Sequence, residues 1–453
     1  MGQRMTQSFD FASLGLSAAS LTALTKAGYE KPTPIQAQTI PAGLAGKDVI
    51  GCAATGTGKT AAFVLPMIER LKGKKGIKAL ILAPTRELAL QIAEHAQRFG
   101  FPQGVKNVVL IGGVGMGAQI EGLKHANVCI ATPGRLIDHL TQGTASLAGV
   151  EILVLDEADR MLDMGFKPQL TRILAKLPRT RQTLLFSATM AGEVADFARA
   201  HSKDPVRVEV ARSGTTASRA TQCVYEVGQN EKTPLLLALL AQDEESTLVF
   251  TRTKRRADKL TKSLARAGHE VERIHADRSQ SQRKYALDGF KSGKYRVLVA
   301  TDIAARGIDV ADIGHVVNFD LPHVPEDYVH RVGRTARASA SGHASAFASP
   351  DEMALLRDIE KLLRVKVPRA EVPEEDPVYI EALASERTRQ ADPGPRGSGH
   401  GVSSRSPGTQ PGRHARSHPK KAAGGGGGAH SSSSSAAAKS TGASVFSGSP
   451  RRK

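Results

Sequence analysis

A chain of 453 residues, 40% of them hydrophobic, can build two or three domains with sizeable cores, which excludes a single small module. Its formal net charge of +18 favours polyanionic partners such as nucleic acid or anionic lipid. Cys52, Cys129 and Cys223 are far apart and lack metal-ligand spacing, and neither a signal-peptide core nor a run of ~18 apolar residues occurs, so a reduced, cytoplasmic protein with no membrane association is expected.

Between about Lys47 and Thr189, short apolar runs alternate with helical patterns. The runs are Asp48–Cys52, Ala79–Ala83, Val108–Ile111, Val128–Ala131, Ile152–Leu155 and Thr183–Phe186. In the helical segment Glu87–Phe99, Leu88, Ile92 and Phe99 fall near one face. Uninterrupted apolar runs suit parallel strands covered on both faces, so residues 1–208 read as a doubly wound α/β domain. Residues 209–220 lack apolar periodicity and read as a linker. Over residues 221–372 the alternation resumes through Leu248–Phe250, Val271–Ile274, Arg296–Ala300, His315–Phe319 and Ala344–Ala348, a second parallel-sheet domain. Residues 373–453 turn to Gly, Ser, Pro, Arg and Lys, and from Arg387 onward twelve basic residues face one acid, Asp392. Such a segment buries too little apolar surface to offset its ordering entropy, so it is expected to be disordered.

The chemistry sits where those strands end. After the first run comes Ala53-Ala54-Thr55-Gly56-Thr57-Gly58-Lys59-Thr60, a phosphate-loop sequence with Ala53 in place of the first Gly of G-x-x-x-x-G-K-[ST]. Its backbone N–H groups suit phosphates, Lys59 adds a point charge, and the Thr60 hydroxyl suits Mg²⁺. After the fifth run comes Asp156-Glu157-Ala158-Asp159. Asp156 is placed to bind Mg²⁺ through water, and Glu157 to orient and deprotonate an attacking water. Either piece alone can be a chance loop or a helix-capping acidic turn; together, each after an apolar strand, they point to nucleoside triphosphate hydrolysis. Further polar clusters follow the other runs at Thr85-Arg86, Gly112-Gly113, Thr132 to Arg135 and Ser187-Ala188-Thr189, which implies one extended site along a sheet edge.

From Phe11 to Ala338 these residues resemble the DEAD-box ATP-dependent RNA helicases of superfamily 2, which implies two tandem RecA-like domains. Gly28 to Gln36, with Phe11 upstream, is similar to that family's adenine-reading element, so ATP is the expected cofactor with Mg²⁺. A Gln amide can pair with adenine N6 and N7 while an aromatic ring stacks on the base. In the second half, Ala300 to Asp309 and Tyr328 to Arg337 carry the resemblance. It implies arginine fingers at Arg331 and Arg334, a ribose contact at Asp309, and coupling of nucleotide to domain closure through Asp159, Ser187, Thr189 and His330. Arg331, Arg334 and Arg337 recur every third residue, which on a helix is one face. RNA contacts implied by the motifs are Thr85, Arg86, Gly113, Thr132 and Arg135 in the first domain, and Arg252, Gln280, Arg283 and Thr301 in the second. These groups suit phosphates and 2′-hydroxyls, so binding independent of base sequence is expected.

The chain departs from the family pattern at His275-Ala276-Asp277, at Ala336, and at Ala54, where the phosphate loop commonly carries Gln. None of these alters a charged catalytic group. The expected activity is RNA-stimulated ATP hydrolysis coupled to local unwinding of short duplexes; an ATP-controlled RNA clamp is the rival. The basic tail is read as an RNA tether. The resemblance to bacterial members suggests ribosomal precursor particles or RNA-decay machinery as partners.

Overall fold

The computed structural model describes residues 10–53, 56–190, 192–210, 220–302, 313–335 and 342–391. Its first sheet is built from β1 (Val49–Cys52), β2 (Ala79–Leu82), β3 (Asn107–Leu110), β4 (Val128–Ala131), β5 (Ile152–Leu155), β6 (Gln182–Ser187) and β7 (Val206–Glu209), in the order β3-β4-β2-β5-β6-β1-β7. Every pairing is parallel. Successive side chains of a strand leave opposite faces, and both faces are covered. Ile81 and Val154 join Phe63, Ile68 and Phe99 on one side; Leu80, Leu82, Leu153 and Leu155 join Leu136 and Leu170 on the other.

The second sheet comprises β8 (Thr221–Glu226), β9 (Thr247–Thr251), β10 (Val271–Ile274), β11 (Val297–Thr301), β12 (His315–Asn318), β13 (His343–Ala348) and β14 (Arg369–Ala370). Its order, β10-β11-β9-β12-β13-β8-β14, repeats that of the first sheet strand for strand. Two copies of one doubly wound design therefore follow each other along the chain. β7, β8 and β14 carry no long aliphatic run, which is why sequence periodicity passes over them. The segment expected to be a linker overlaps β7 at Glu209, and residues 211–219 lie outside the described set.

The expectation of disorder from residue 373 is corrected by the helix Pro377–Ala391. Tyr379 is 4% exposed and Leu383 packs beside it, both joining Leu236, Phe319 and Phe347 in one core cluster. Two apolar side chains one helical turn apart supply an anchor that bulk composition hides. Among the described residues no helix is long and apolar enough to cross a membrane.

Candidate functional site

In an open α/β sheet, ligands gather beyond the carboxyl ends of the strands. Here β6 lies between β1 and β5, so the phosphate loop, Ser187 and Asp156 emerge side by side. Ala53 N–H donates to Ser187 O at 3.0 Å, and Asp156 N–H to Leu82 O at 3.0 Å. Gly56 and Gly58 hold φ of +83° and +90°, a left-handed turn that opens the helix Lys59–Leu71. A Cβ at Gly58 would collide with the Gln36 amide, so glycine is required there by close approach as well as by conformation. Gln36 is 1% exposed; its Oε1 accepts from Thr33 N–H at 2.9 Å and its Nε2 donates to Gly58 O at 3.1 Å. The expected base-reading amide thus rests on the phosphate loop itself. Phe11 is buried, edge-on to Tyr29 with ring centroids 6.3 Å apart. Ala54, Thr55 and Asp309 lie outside the described residues, whereas Thr57 and Thr60 are half-buried at the loop.

Lys59 is buried and its Nζ donates to Ala53 O at 2.8 Å. Asp156 is 2% exposed, and burial pushes its carboxyl up to about 7 against the opposing pull of Lys59. A buried carboxyl in that condition gains from a cation. Asp156 and the Thr60 hydroxyl, hard oxygen donors beside the glycine turn, fit Mg²⁺ carried in with a nucleotide. Glu157 is buried in the left-handed region at φ 53°, and its N–H donates to Asp156 Oδ1 at 3.0 Å. A non-glycine residue held there stores backbone strain of about 1–3 kcal/mol, a pattern that clusters at functional sites.

Asp159 faces the end of β6. Its Oδ2 accepts from the N–H groups of Ala188 and Thr189, each at 3.0 Å, and from Thr189 Oγ1 at 3.3 Å, while Ser187 Oγ donates to Thr189 O. His330 meets the neighbouring residue: Arg160 donates to both His330 Nδ1 and Asp327 on the second domain's helix Pro325–Val332. Arg160 and Asp327 are both buried. Their pairing spans 167 positions, so no local pattern could reveal it.

The helix carrying Arg331 ends at Val332 with Gly333 as its cap, so Arg334 lies in the following turn and shares no continuous helical face; Arg337 lies outside the described residues. Arg331 is committed inside its own domain. Its guanidinium grips Asp302 through two bonds of 2.6 and 2.7 Å, donates to Asn318 Oδ1 and Asp320 O, and lies 5.0 Å from the Phe250 ring centroid. Arg334 is also buried, and its Nε donates to His330 O at 3.3 Å.

The repeated strand order explains where the other residues fall. Thr85, Arg86, Gly113, Thr132 and Arg135 follow β2, β3 and β4, which are adjacent. Thr85 caps the helix Arg86–Gly100 through Leu88 N–H. The Arg86 guanidinium lies over Gly113, whose φ is +79° and whose Cβ would sit 2.5 Å from Arg86 Nη1. Arg135 donates to Val114 O at 2.8 Å. Burial, then the nearby charges of Arg283 and Arg135, lower the Arg86 pKa despite Glu87, as expected where cations converge on an anion site. Arg252, Gln280 and Arg283 follow β9 and β10 and Thr301 ends β11, the same three positions in the second sheet. Arg252 and Thr301 are half-buried at adjacent strand ends, and the buried Oε1 of Gln280 has no hydrogen-bond partner among the described residues. Arg283 departs from the expected open RNA contact: its Nε donates to Glu87 Oε1 at 2.7 Å and its Nη2 lies 2.6 Å from Oε2, off the hydrogen-bond line. Both side chains are buried, forming an ion pair between the two domains.

Among the described residues the second sheet shows no equivalent phosphate site. Lys232 opens the helix after β8 as Lys59 does after β1, but its ammonium is fully buried against Glu352 and the carbonyls of Phe319 and Phe347. The cation that would meet a phosphate is neutralised from within.

Fold and site together define an enzyme of nucleoside triphosphate hydrolysis with a phosphate site in its first domain and a second domain in contact with the acidic turn beside it. Residues 33–197 match the DEAD/DEAH box helicase family and residues 231–339 the helicase conserved C-terminal domain. DEAD-box ATP-dependent RNA helicase CshA of Bacillus subtilis (strain 168) is 45% identical over 380 residues, 83% of this chain and 76% of the relative. CshA of Geobacillus kaustophilus (strain HTA426) is 45% identical over 366 residues, 80% of this chain and 78% of the relative. S. cerevisiae Dbp5 bound to RNA and ADP BeF3 superposes with a TM-score of 0.73 at 31% identity, covering 83% of this chain and 99% of that one. Mss116p bound to ssRNA and AMP-PNP gives 0.75 at 28% identity, covering 83% of each. The chain belongs to the DEAD-box family of ATP-dependent RNA helicases, which are ATP-hydrolysing enzymes.

Proposed function

We propose that this protein hydrolyses ATP when RNA holds its two domains together and uses that cycle to open short RNA duplexes. The single observation that carries the reading is the continuous set of contacts leading from the phosphate site into the second domain. Glu157 N–H donates to Asp156, which feels the charge of Lys59 in the phosphate loop, Asp159 holds the β6 end, and Arg160 reaches Asp327 and His330. Asp156 and Thr60 would hold Mg²⁺ arriving with ATP, which would neutralise charge on the phosphates. Lys59 exchanges Ala53 O for a phosphate oxygen, and Gln36 keeps the loop and the adenine in register. Glu157 orients and deprotonates the attacking water. Arg334 takes the finger role, and Arg331 braces Asp302 and Asn318 behind it. Phe11 supports the adenine element through Tyr29, and Asp309 is assigned to the ribose on resemblance alone.

RNA is engaged by Arg86, Gly113, Arg135, Thr85 and Thr132 on one sheet edge and by Arg252, Gln280 and Thr301 on the other, with backbone contacts that do not read base identity. Arg283 acts one step back, holding Glu87. A first domain ending with β7 at Glu209 and a second running from 221 through the helix Pro377–Ala391, with a basic extension beyond it holding RNA nearby, complete the reading. A cytoplasmic setting rests on the spacing of the three cysteines and the apolar runs of the sequence, and ribosomal or RNA-decay partners rest on family resemblance. The test is Glu157→Gln. ATP and RNA binding should persist while turnover falls by roughly 10²-fold or more, as expected when a positioned general base is lost. Near-normal turnover would reject the assigned base. Release of a short duplex by the wild type with ATP would separate a helicase from an RNA clamp.

A further inference from the structure

At the end of the second sheet opposite the strand termini used above, β12 and β13 begin with His315 and His343, which are in register on adjacent parallel strands. Their rings lie 3.9 Å apart, centroid to centroid. Asp243, in the turn before β9, closes the group: it and both histidines each bring a donor atom within 4.8 Å of the others. We propose that Asp243, His315 and His343 form a binding site for a transition-metal dication of the zinc class, separate from the nucleotide site.

The cluster has the features of a built site. Asp243 is held in place from two directions: Glu245 N–H donates to its Oδ1 at 2.7 Å, and Arg296 Nη1 donates to its main-chain oxygen at 2.8 Å. That leaves Oδ2 facing His343, 3.3 Å from Nε2. His315 is 3% exposed and its Nε2 lies 2.9 Å from Ser345 Oγ, the kind of partner that fixes an imidazole ring beside a metal. Glu245 Oε2 lies 3.6 Å from His343 Nδ1 and supplies a further carboxylate at the rim. Two imidazoles and a carboxylate suit zinc, cobalt or nickel and not Mg²⁺ or Ca²⁺, which take oxygen donors. Bonds of ~2.0–2.1 Å in a tetrahedron place donors about 3.4 Å apart, so the side chains need to close by an ångström or so. His343 and Asp243 are only partly buried, which leaves an entry path for the ion.

The metal would tie the turn before β9 to the starts of β12 and β13. β12 ends at Asn318, whose Oδ1 accepts from Arg331, so one short strand separates the metal site from the arginine bracing the nucleotide side.

The experiment is a Zn²⁺ titration of the chelator-stripped full-length protein against a chromophoric competitor, in excess Mg²⁺, with Co²⁺ absorption reporting the ligand set. His343→Gln and Asp243→Asn are compared with wild type, both checked for cooperative melting and RNA-stimulated ATPase. The proposal expects one equivalent of Zn²⁺ bound with Kd below about 10 μM, at least tenfold weaker in either variant, and a zinc-dependent rise in wild-type Tm that the variants lose. The tail carries His400, His414, His418 and His430, which can bind metal without this site. Equal zinc binding in wild type and variants would assign the metal to them and overturn the proposal, as would no wild-type binding in that range. Asp243→Asn alone decides the matter should His343→Gln fail to fold.

Discussion

Replacing Arg283 with Ala removes one partner of a buried ion pair between domains and leaves Glu87, with its side chain only 4% exposed, facing an apolar truncation. Losing one partner of a buried, hydrogen-bonded charge pair at an interface costs about 2–5 kcal/mol, much of it the penalty of the orphaned charge. The pair spans domains, so opening lets Glu87 regain water and the cost falls on closure instead of on folding. The lower end of the range applies, and about 2 kcal/mol corresponds to roughly 30-fold in affinity. The assay is RNA binding by fluorescence anisotropy with a non-hydrolysable ATP analogue, beside thermal melting. Arg283→Ala should weaken RNA binding by about that factor and leave the melt of each domain nearly unchanged. Glu87→Ala should weaken it comparably, and the double variant should be no worse than Arg283→Ala alone, the signature of coupled residues. Should Glu87→Ala bind RNA as tightly as wild type or more tightly, Arg283 acts on RNA directly and the bridging argument is refuted.

Further expectations follow from the same geometry. Gln36→Ala loses the bonds to Thr33 and Gly58, so the KM for ATP should rise about tenfold; preference for ATP over GTP should shrink with it, as competition kinetics would show. Burial disfavours the charge on Glu69, yet hydrogen bonds from Lys72, Ser17 and Ser20 outweigh it and bring its pKa down from 4.5 to about 2. A depressed carboxylate pKa contributes stability above about pH 4.5 that is lost as pH falls toward 2, so over that window the Tm of the wild type should drop more steeply than that of Glu69→Gln. Tyr379→Ala should destabilise the second domain by about 3 kcal/mol, read from urea unfolding, because it empties a buried aromatic site.

Legibility from sequence followed locality. Phosphate loop, acidic turn and most strands are runs of neighbouring residues, and each is recognisable within its own window. Asp159 with Ser187 and Thr189 is implied by the family resemblance alone, because only the strand order places β5 beside β6. Contacts between distant segments were hidden: Arg160 with Asp327, and Glu87 with Arg283, pair side chains whose neighbours give no sign of a partner. Arg331 and Arg334 recur at helical spacing, but Gly333 ends the helix between them, which no three-residue periodicity can register. The helix Pro377–Ala391 was missed because two anchoring side chains, Tyr379 and Leu383, are diluted in a window of polar residues. The cluster at Asp243, His315 and His343 has no local signature because it depends on strand register, fixed only when β12 and β13 pair.

The central claim, that ATP turnover and RNA engagement are one coupled event, is tested most directly by measuring ATPase rate and release of a labelled strand from a short duplex in the same reaction. The account predicts that RNA raises turnover by an order of magnitude or more, that strand release requires ATP, and that Glu157→Gln abolishes both while still binding RNA. Turnover indifferent to RNA, or strand release that proceeds unchanged in Glu157→Gln, would contradict it.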